Sequence, residues 1–360
     1  MTVPVMVVVL CFRSLCGYPA VAAPASDLLP ENFAELPDDV QAVILEYAFF
    51  AEKADQVWGD EFEESSIHSM VKYLDDFHTR VRIDFARGRI RVETRGSKTP
   101  IQSLQKAVKA TLLTPANPNS IDLYTAADFG LTGKPFLAGQ VLDHERQAIL
   151  YPWRAERYAS YLTQHQLQRN GSRFWVEIPM VGNYKRLSAD RYRQPVTRAA
   201  QKYRLPPALI LAVMETESSF NPMAVSHANA YGLMQVMRNT AGKDVFQRIY
   251  KRRDKPSRNY LLDPEQNIDV GSAYLSILRD VYLKDVRGWL KKEYCIIAAY
   301  NGGAGNLFRA FHRDRKKALA RINALSTEQV YRIIVNEHPK HESRNYLKKV
   351  TRFKKKYVGW

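Results

Sequence analysis

Two carboxyl groups stand one residue apart in METESSFNP, Met214 to Pro222, at the end of a mostly apolar run. A carboxyl group held between apolar walls, with no cation beside it, keeps its proton near neutral pH because burial penalises the charged form. Such a group can donate that proton to a leaving oxygen, which is general-acid catalysis. On a helix turning about 100° per residue, Ile210, Val213, Met214 and Glu217 fall on one stripe. Glu215 lies about 200° from Glu217, nearer the face of Leu211 and Ala212, which also carries apolar residues. The pattern favours Glu217 as the group in the dry site. The competing reading is a helix-end glutamate turned to water or to a backbone group, and one glutamate does not separate the two.

Two further stretches bear on the choice. SHANAYGLMQVMRNTAG, Ser226 to Gly242, leads through small residues into a Gly-Leu-Met-Gln turn and then a helix. IAAYNGGAGNLFRAF, Ile297 to Phe311, closes an apolar helix on Tyr300-Asn301-Gly302-Gly303. Glycines there permit positive φ and close approach of another segment, although a plain helix cap would read the same way.

The elements that must hold these residues form two groups. Residues 30 to 78 read as helical, through VQAVILEYAFF and again SIHSMVKYLDDF. VRIDFARGRIRVETRG then alternates, with Val81, Ile83 and Phe85 before a turn at Gly88 and Ile90 and Val92 after it, which predicts a hairpin. A helix over Ile101 to Leu113, a strand through AGQVLD, a helix near RAERYASYLTQHQLQ and a strand over Phe174 to Val181 complete an α+β domain spanning 30–188. From about Ala189 strand patterns vanish. Helices are predicted over Arg191–Tyr203, Pro207–Ser218, Thr240–Tyr250, Ile268–Leu283, Tyr294–Tyr300, Leu307–Phe311 and Ser326–Asn336. Pro207 in a first turn, Asp263 before Pro264, and Ser326 with Gln329 mark helix starts. An all-α domain over 190–360 follows, and TRFKKKYVGW reads as a solvated or polyanion-facing basic end.

Charge is divided as sharply as structure. Residues 191–360 hold 33 Lys or Arg against 14 Asp or Glu, a net of +19, within a chain whose total is +16. The basic half should be drawn to a polyanion, with Lys291, Lys292 and Arg313–Lys317 as candidate contacts. Its cations form scattered clusters rather than a groove-reading array, so no specific nucleic-acid partner is expected. The cysteines, Cys11, Cys16 and Cys295, form neither a disulfide framework nor a metal cluster, and no cofactor or metal is expected. Cys295 reads as an inert buried thiol. MTVPVMVVVLCF followed by AVAAPAS makes residues 1–23 an export-signal-like segment, too short to span a bilayer and unusual in having no basic residue before its apolar run.

Taken together and in order, the three chemical stretches resemble the lytic murein transglycosylases, whose catalytic domain is similar to goose-type lysozyme. The whole chain resembles the membrane-bound C type, its first domain around GRIRVET, LYTAADF and GKPFLAGQVLD. The resemblance implies an all-α lysozyme-like catalytic domain behind the α+β one, and a peptidoglycan substrate. It implies Glu217 as the catalytic acid of the Glu-Ser-x-Phe-x-Pro block. It also implies substrate contacts at Ser226, Met234, Gln235, Tyr300 and Asn301, and a tyrosine facing the acid at Tyr346, after Glu342. The implied reaction cuts the β-1,4 bond between N-acetylmuramic acid and N-acetylglucosamine and closes a 1,6-anhydromuramoyl end. Glu215 is not assigned a part in it. The resemblance further implies a periplasmic protein attached to the outer membrane. However, Leu10 and Leu15 precede the two early cysteines where a lipid-anchor motif has small residues. A hydrolytic muramidase and a peptidoglycan-binding protein without turnover are the alternative functions.

Overall fold

The computed structural model describes residues 29–30, 33–35, 38–115, 135–226 and 228–360. The export-like segment and LYTAADF lie outside the described residues. The chain divides into two compact units, one of residues up to Ser188 together with Asn221–Gly232, the other of Ala189–Phe220 with Leu233–Trp360. The segment Asn221–Gly232, expected within the C-terminal domain, thus groups with the first unit.

In the first unit, helix α1 (Asp38–Trp58) precedes strands β1 (Ser69–Leu74), β2 (Thr79–Asp84) and β3 (Arg89–Arg95). Helices α2 (Pro100–Leu112) and α3 (Pro152–His165) follow, then β4 (Gln168–Asn170) and β5 (Arg173–Pro179). The sheet is antiparallel throughout, in the order β1-β2-β3-β5-β4. The predicted hairpin forms with Val81 opposite Val92 and Ile83 opposite Ile90. Val176 and Ile178 of β5 continue their row, and all pack in one core with Leu104, Val108 and Leu112 of α2 and Ala155, Ala159 and Leu162 of α3. Period-two alternation is what turns these side chains to one face. Arg80 projects from the sheet into an ionic cluster instead, bonding Glu93 at 2.9 and 2.7 Å and lying 4.2 Å from the Trp58 ring.

SIHSMVKYLDDF does not form the expected helix. It becomes β1, because Asp75, Asp76 and Phe77 take left-handed backbone angles and turn the chain back onto β2. Asp tolerates that region better than most residues, and the run of apolar groups, covered on both sides, hid the two-residue period. Lys72 of this edge strand is buried, and burial pushes its ammonium down to about 8. An inward charge on an edge discourages pairing with another chain. AGQVLD is likewise no strand, making only isolated bridges such as Ala138 with Val141.

The second unit is helical: α5 (Arg193–Tyr203), α6 (Pro207–Ser218), α7 (Lys243–Arg248), α8 (Arg258–Leu262) and α9 (Pro264–Ile277) lead to α10 (Trp289–Gly302) and α11 (Ala304–Phe311). Helices α12 (Arg315–Ala324), α13 (Thr327–Glu337) and α14 (His341–Lys354) complete it. Helix α4 (Tyr184–Arg191) runs across the division at residue 188, and two-residue strands, Ala230–Tyr231 and Val236–Met237, interrupt the helical pattern. α6 keeps the predicted bounds, with Pro207 in its first turn and every residue from Leu209 to Thr216 buried. The expected starts at Asp263 and Ser326 are present. Asp263 accepts from the Gln266 amide at 3.0 Å, and Ser326 forms a reciprocal capping box with Gln329.

Three expectations fail here for one reason, the packing of polar groups that sequence marks as solvated. α8, α12 and α14 are helices that the apolar spacing missed. Lys291 is buried rather than offered to a polyanion, its ammonium donating to the Ile322 and Leu325 carbonyls at 3.1 and 2.5 Å at the end of α12. The basic tail is docked, with Tyr357 buried and the Trp360 indole donating to Asp190 at 3.0 Å. Cys295 is fully buried, and burial pushes its thiol up to about 12.

Truncating Ile90 to Ala should cost about 2–5 kcal/mol, since it removes a fully buried side chain from the shared face of sheet and helices. Chemical denaturation of the variant should show an earlier transition with the same denaturant slope.

Candidate active site

The two glutamates of α6 part company in the way opposite to their burial on the helical wheel. Glu215 is the fully buried one, at 1% exposure, whereas Glu217 is only half-buried. Glu215 is nevertheless matched. Lys356 donates to one of its oxygens at 2.7 Å and the Tyr357 hydroxyl to the other at 2.7 Å. Glu217 has no such cation among the described residues. Desolvation pushes its carboxyl up to about 8, the negative charge of Glu342 adds to the rise, and the Tyr346 hydroxyl opposes it. Its place in the last turn of α6 acts in the same upward direction, because the helix C-terminus is the negative end of the dipole. What separates the two is the available counter-charge, not the depth of burial.

The backbone just beyond Glu217 is strained. Ser219 and Phe220 both take positive φ, 54° and 64°, which a bulky residue such as phenylalanine rarely adopts. Consecutive angles of this kind cost on the order of 1–3 kcal/mol each and persist only where surrounding contacts fix them.

One such contact is Ser218, whose buried hydroxyl donates to Met214 and to the Leu233 carbonyl at 2.8 Å. Three residues therefore pin the Leu-Met-Gln stretch. Besides Ser218, Asn267 of α9 accepts the Met234 amide at 2.8 Å and the Tyr300 hydroxyl donates to the Met234 carbonyl at 2.8 Å. Met234 is 0% exposed, its side chain lying where any Cβ on Gly271 would sit 2.5 Å from the sulfur. There it supports the turn from inside. Gln235 follows, half-buried and left-handed at φ 47°, turned out of the line of its buried neighbours.

Tyr300 and Tyr346 stand beside the acid. Burial first, and then the negative charge of Glu217 whenever it is ionised, raise both phenols well above their usual range, so both remain protonated. Tyr346 is buried and its hydroxyl makes no hydrogen bond of ordinary geometry among the described residues, though it is near enough to Glu217 to stabilise the carboxylate form. Asn301 is held from α14: its amide donates to Glu342 at 3.0 Å and its carbonyl accepts from Ser343 at 2.6 Å. That approach requires Gly302, where a Cβ would lie 2.6 Å from both His338 and Ser343.

Glu217, Tyr300, Tyr346, Met234, Gln235 and Asn301 all belong to the second unit. Ser226 belongs to the segment that groups with the first, where its hydroxyl accepts the Ala230 amide at 3.1 Å. Sequence reasoning missed the supports. Asn267, polar on an otherwise apolar face of α9, and Gly271 one turn on were the readable signals for a closely approached backbone. Among the described residues no group of three metal-ligating side chains occurs, and no helix is long and apolar enough to cross a membrane. An uncharged carboxyl flanked by two protonated phenols can give a proton to a substrate oxygen and later take one back.

Comparison with known proteins places this chain among relatives. Residues 38–191 match the family described as membrane-bound lytic murein transglycosylase C, N-terminal domain, and residues 194–323 the transglycosylase SLT domain. A membrane-bound lytic murein transglycosylase C of Histophilus somni is 42% identical over 346 residues, covering 94% of each chain. That of Yersinia pestis is 43% identical over 314 residues, covering 86% of this chain and 87% of its own. The 70 kDa soluble lytic transglycosylase of Escherichia coli aligns with 45% of this chain and 23% of its own, at 26% identity and a TM-score of 0.35.

The raised acid also predicts a stability effect. Folded Glu217 holds its proton up to about 8, against an ordinary 4.5, so the folded state binds more protons between those values and loses stability as pH rises through them. Glu217→Gln should therefore be more stable than wild type at pH 8, by about 1–2 kcal/mol once its partial opening to solvent is allowed for. The gain should vanish by pH 4, where the wild-type carboxyl is neutral in both states, and thermal unfolding at the two pH values measures it.

Proposed function

We propose, for a chain that belongs to the membrane-bound lytic murein transglycosylase C family, that Glu217 serves alone as acid and then base. The chain is a lytic transglycosylase acting on peptidoglycan. What supports the assignment of Glu217 is its half-buried place beside Tyr346 with no cation paired to it among the described residues, where desolvation pushes its carboxyl up, two residues from a carboxylate that has a cation. Glu217 protonates the oxygen linking N-acetylmuramic acid to N-acetylglucosamine, and the bond from muramoyl C1 breaks as positive charge grows on that ring. The new carboxylate then takes the proton of the C6 hydroxyl, O6 closes on C1, and Glu217 is again an acid. No water is consumed, because the nucleophile is part of the same sugar. The two other carboxylates near the acid are engaged, Glu215 with Lys356 and Tyr357 and Glu342 with Asn301, which favours this route over one needing a second catalytic carboxylate.

Tyr346 fits a specific moment of the cycle. While Glu217 is protonated its hydroxyl stays unengaged, and once the proton is gone it donates to the carboxylate. An interaction stronger in the charged intermediate than in the resting enzyme lowers the barrier. Gln235, Asn301 and Ser226 are proposed to hold acetamido and hydroxyl groups of the glycan, Ser226 on the strength of its motif alone. The substrate sets the place of work in the periplasm, in keeping with the apolar block at the start of the chain, and the relatives' description as membrane-bound supports attachment to a membrane.

Digestion of purified sacculi followed by mass spectrometry should give 1,6-anhydromuropeptides, whereas reducing ends would mean hydrolysis. Glu217→Gln should reduce their release by at least about a thousandfold, the scale on which loss of a proton donor and its returning base acts twice in one cycle. Activity should fall as pH rises through about 8, where the acid loses its proton. Tyr346→Phe removes a group that lowers this value, so its alkaline limb should move to higher pH while its maximal rate drops.

A further inference from the structure

The mechanism uses neither the buried Glu215 nor the docked C-terminus, yet the two meet. Tyr357 donates its hydroxyl to Glu215 at 2.7 Å, two residues before the acid. Its ring meets the Phe220 ring edge-on, centroids 6.3 Å apart and planes at 84°, three residues after the acid. Lys356 supplies the cation for the other Glu215 oxygen. The end of the chain is secured in turn, with Trp360 bonded to Asp190 and its ring lying 4.2 Å from the Arg193 guanidinium. Phe220 is one of the two strained residues that close α6, and strained backbone holds only where it is packed. From these contacts we propose that Tyr357, with Lys356 and Glu215, is a positioning device. It clamps the end of α6 on both sides of Glu217 and fixes the direction in which the acid points.

The proposal rests on Glu217 being the acid. It explains why so costly a feature as a fully buried carboxyl group sits in the same helix turn: bonded at both oxygens, it gives the helix a directional anchor in addition to the bond from Ser218 to the Leu233 carbonyl. It also explains why Tyr357 and Trp360 of a lysine-rich tail pack against the body of the unit while Lys355 and Lys356 stay exposed. A small rotation of the acid is enough to slow proton transfer, since misplacement by about 1 Å can cost as much as a hundredfold in rate.

The test uses the full chain with Tyr357→Phe, Tyr357→Ala, Lys356→Met and Glu215→Gln, with Lys355→Met as a control for loss of one exposed positive charge. Steady-state kinetics on soluble glycan strands should show kcat falling about threefold in Tyr357→Phe, which keeps the ring, and at least about thirtyfold in Tyr357→Ala, with KM within about twofold of wild type. Lys356→Met should lose roughly tenfold in kcat. Adding Glu215→Gln to it should restore most of that loss, because the amide no longer needs a cation. Thermal unfolding of each variant identifies those folded at the assay temperature, and these are the ones compared. Folded Tyr357→Ala with wild-type kcat overturns the proposal, as does an unrescued Lys356→Met. Glu217→Gln, assayed alongside, separates the two levels. If it is inactive while the tail variants turn over normally, the acid stands and the clamp falls. If it is fully active, both fall.

Discussion

A carboxyl group partly withdrawn from water and paired with no cation among the described residues is the condition on which the site turns. Glu217 meets it at the end of a helix whose dipole is unfavourable to negative charge, with another carboxylate close by adding to the penalty. Every neighbouring feature can be read against that condition. The two phenols beside it carry no charge, so they leave its proton in place. Lys356 is paired with Glu215 instead. Swapping those partners would leave an ionised Glu217 unable to donate and a buried Glu215 with nothing to bond.

Such an arrangement requires rigid support, because nothing in it is held by a strong pairing of its own. The supports come from four helices. Ser218 of α6 and Asn267 of α9 fix the Leu-Met-Gln turn, Tyr300 of α10 fixes it from a third side, and α14 brings Tyr346 to the acid and Ser343 to Asn301. Close packing at Gly271 and Gly302 makes these distances possible. The site is thus assembled by backbone carbonyls and amides as much as by the side chains proposed to face substrate.

Much of this was legible in the residues. α6 took its predicted bounds because a proline opens it and an apolar run fills it, and the hairpin followed the two-residue alternation around Gly88. Glu217 was identified from its place on the stripe of Ile210 and Met214, yet for an incomplete reason. A helical wheel orders residues by angle, and in a helix buried all round, angle does not distinguish a wet face from a dry one. The deciding fact, that Lys356 and Tyr357 reach Glu215 from 141 and 142 positions away, is tertiary. The same limit hid Lys291, whose charge is satisfied by carbonyls of a different helix, and the tail, whose lysines disguised the buried tyrosine that follows them. β1 was misread because both its faces are covered, and its three left-handed turn residues carry only the weak signal of two aspartates.

The protonation state of one side chain is the claim that everything functional here presupposes, and it can be observed without turnover. Carbon-13 NMR of the full-length protein labelled at the glutamate carboxyl carbon, with Glu217→Gln used to assign the resonance, would follow that group directly as pH is raised. A midpoint near 8 for the resonance missing from the variant is the predicted result. A midpoint near the ordinary 4.5 would mean that the group is already a carboxylate at neutral pH, and would contradict the account.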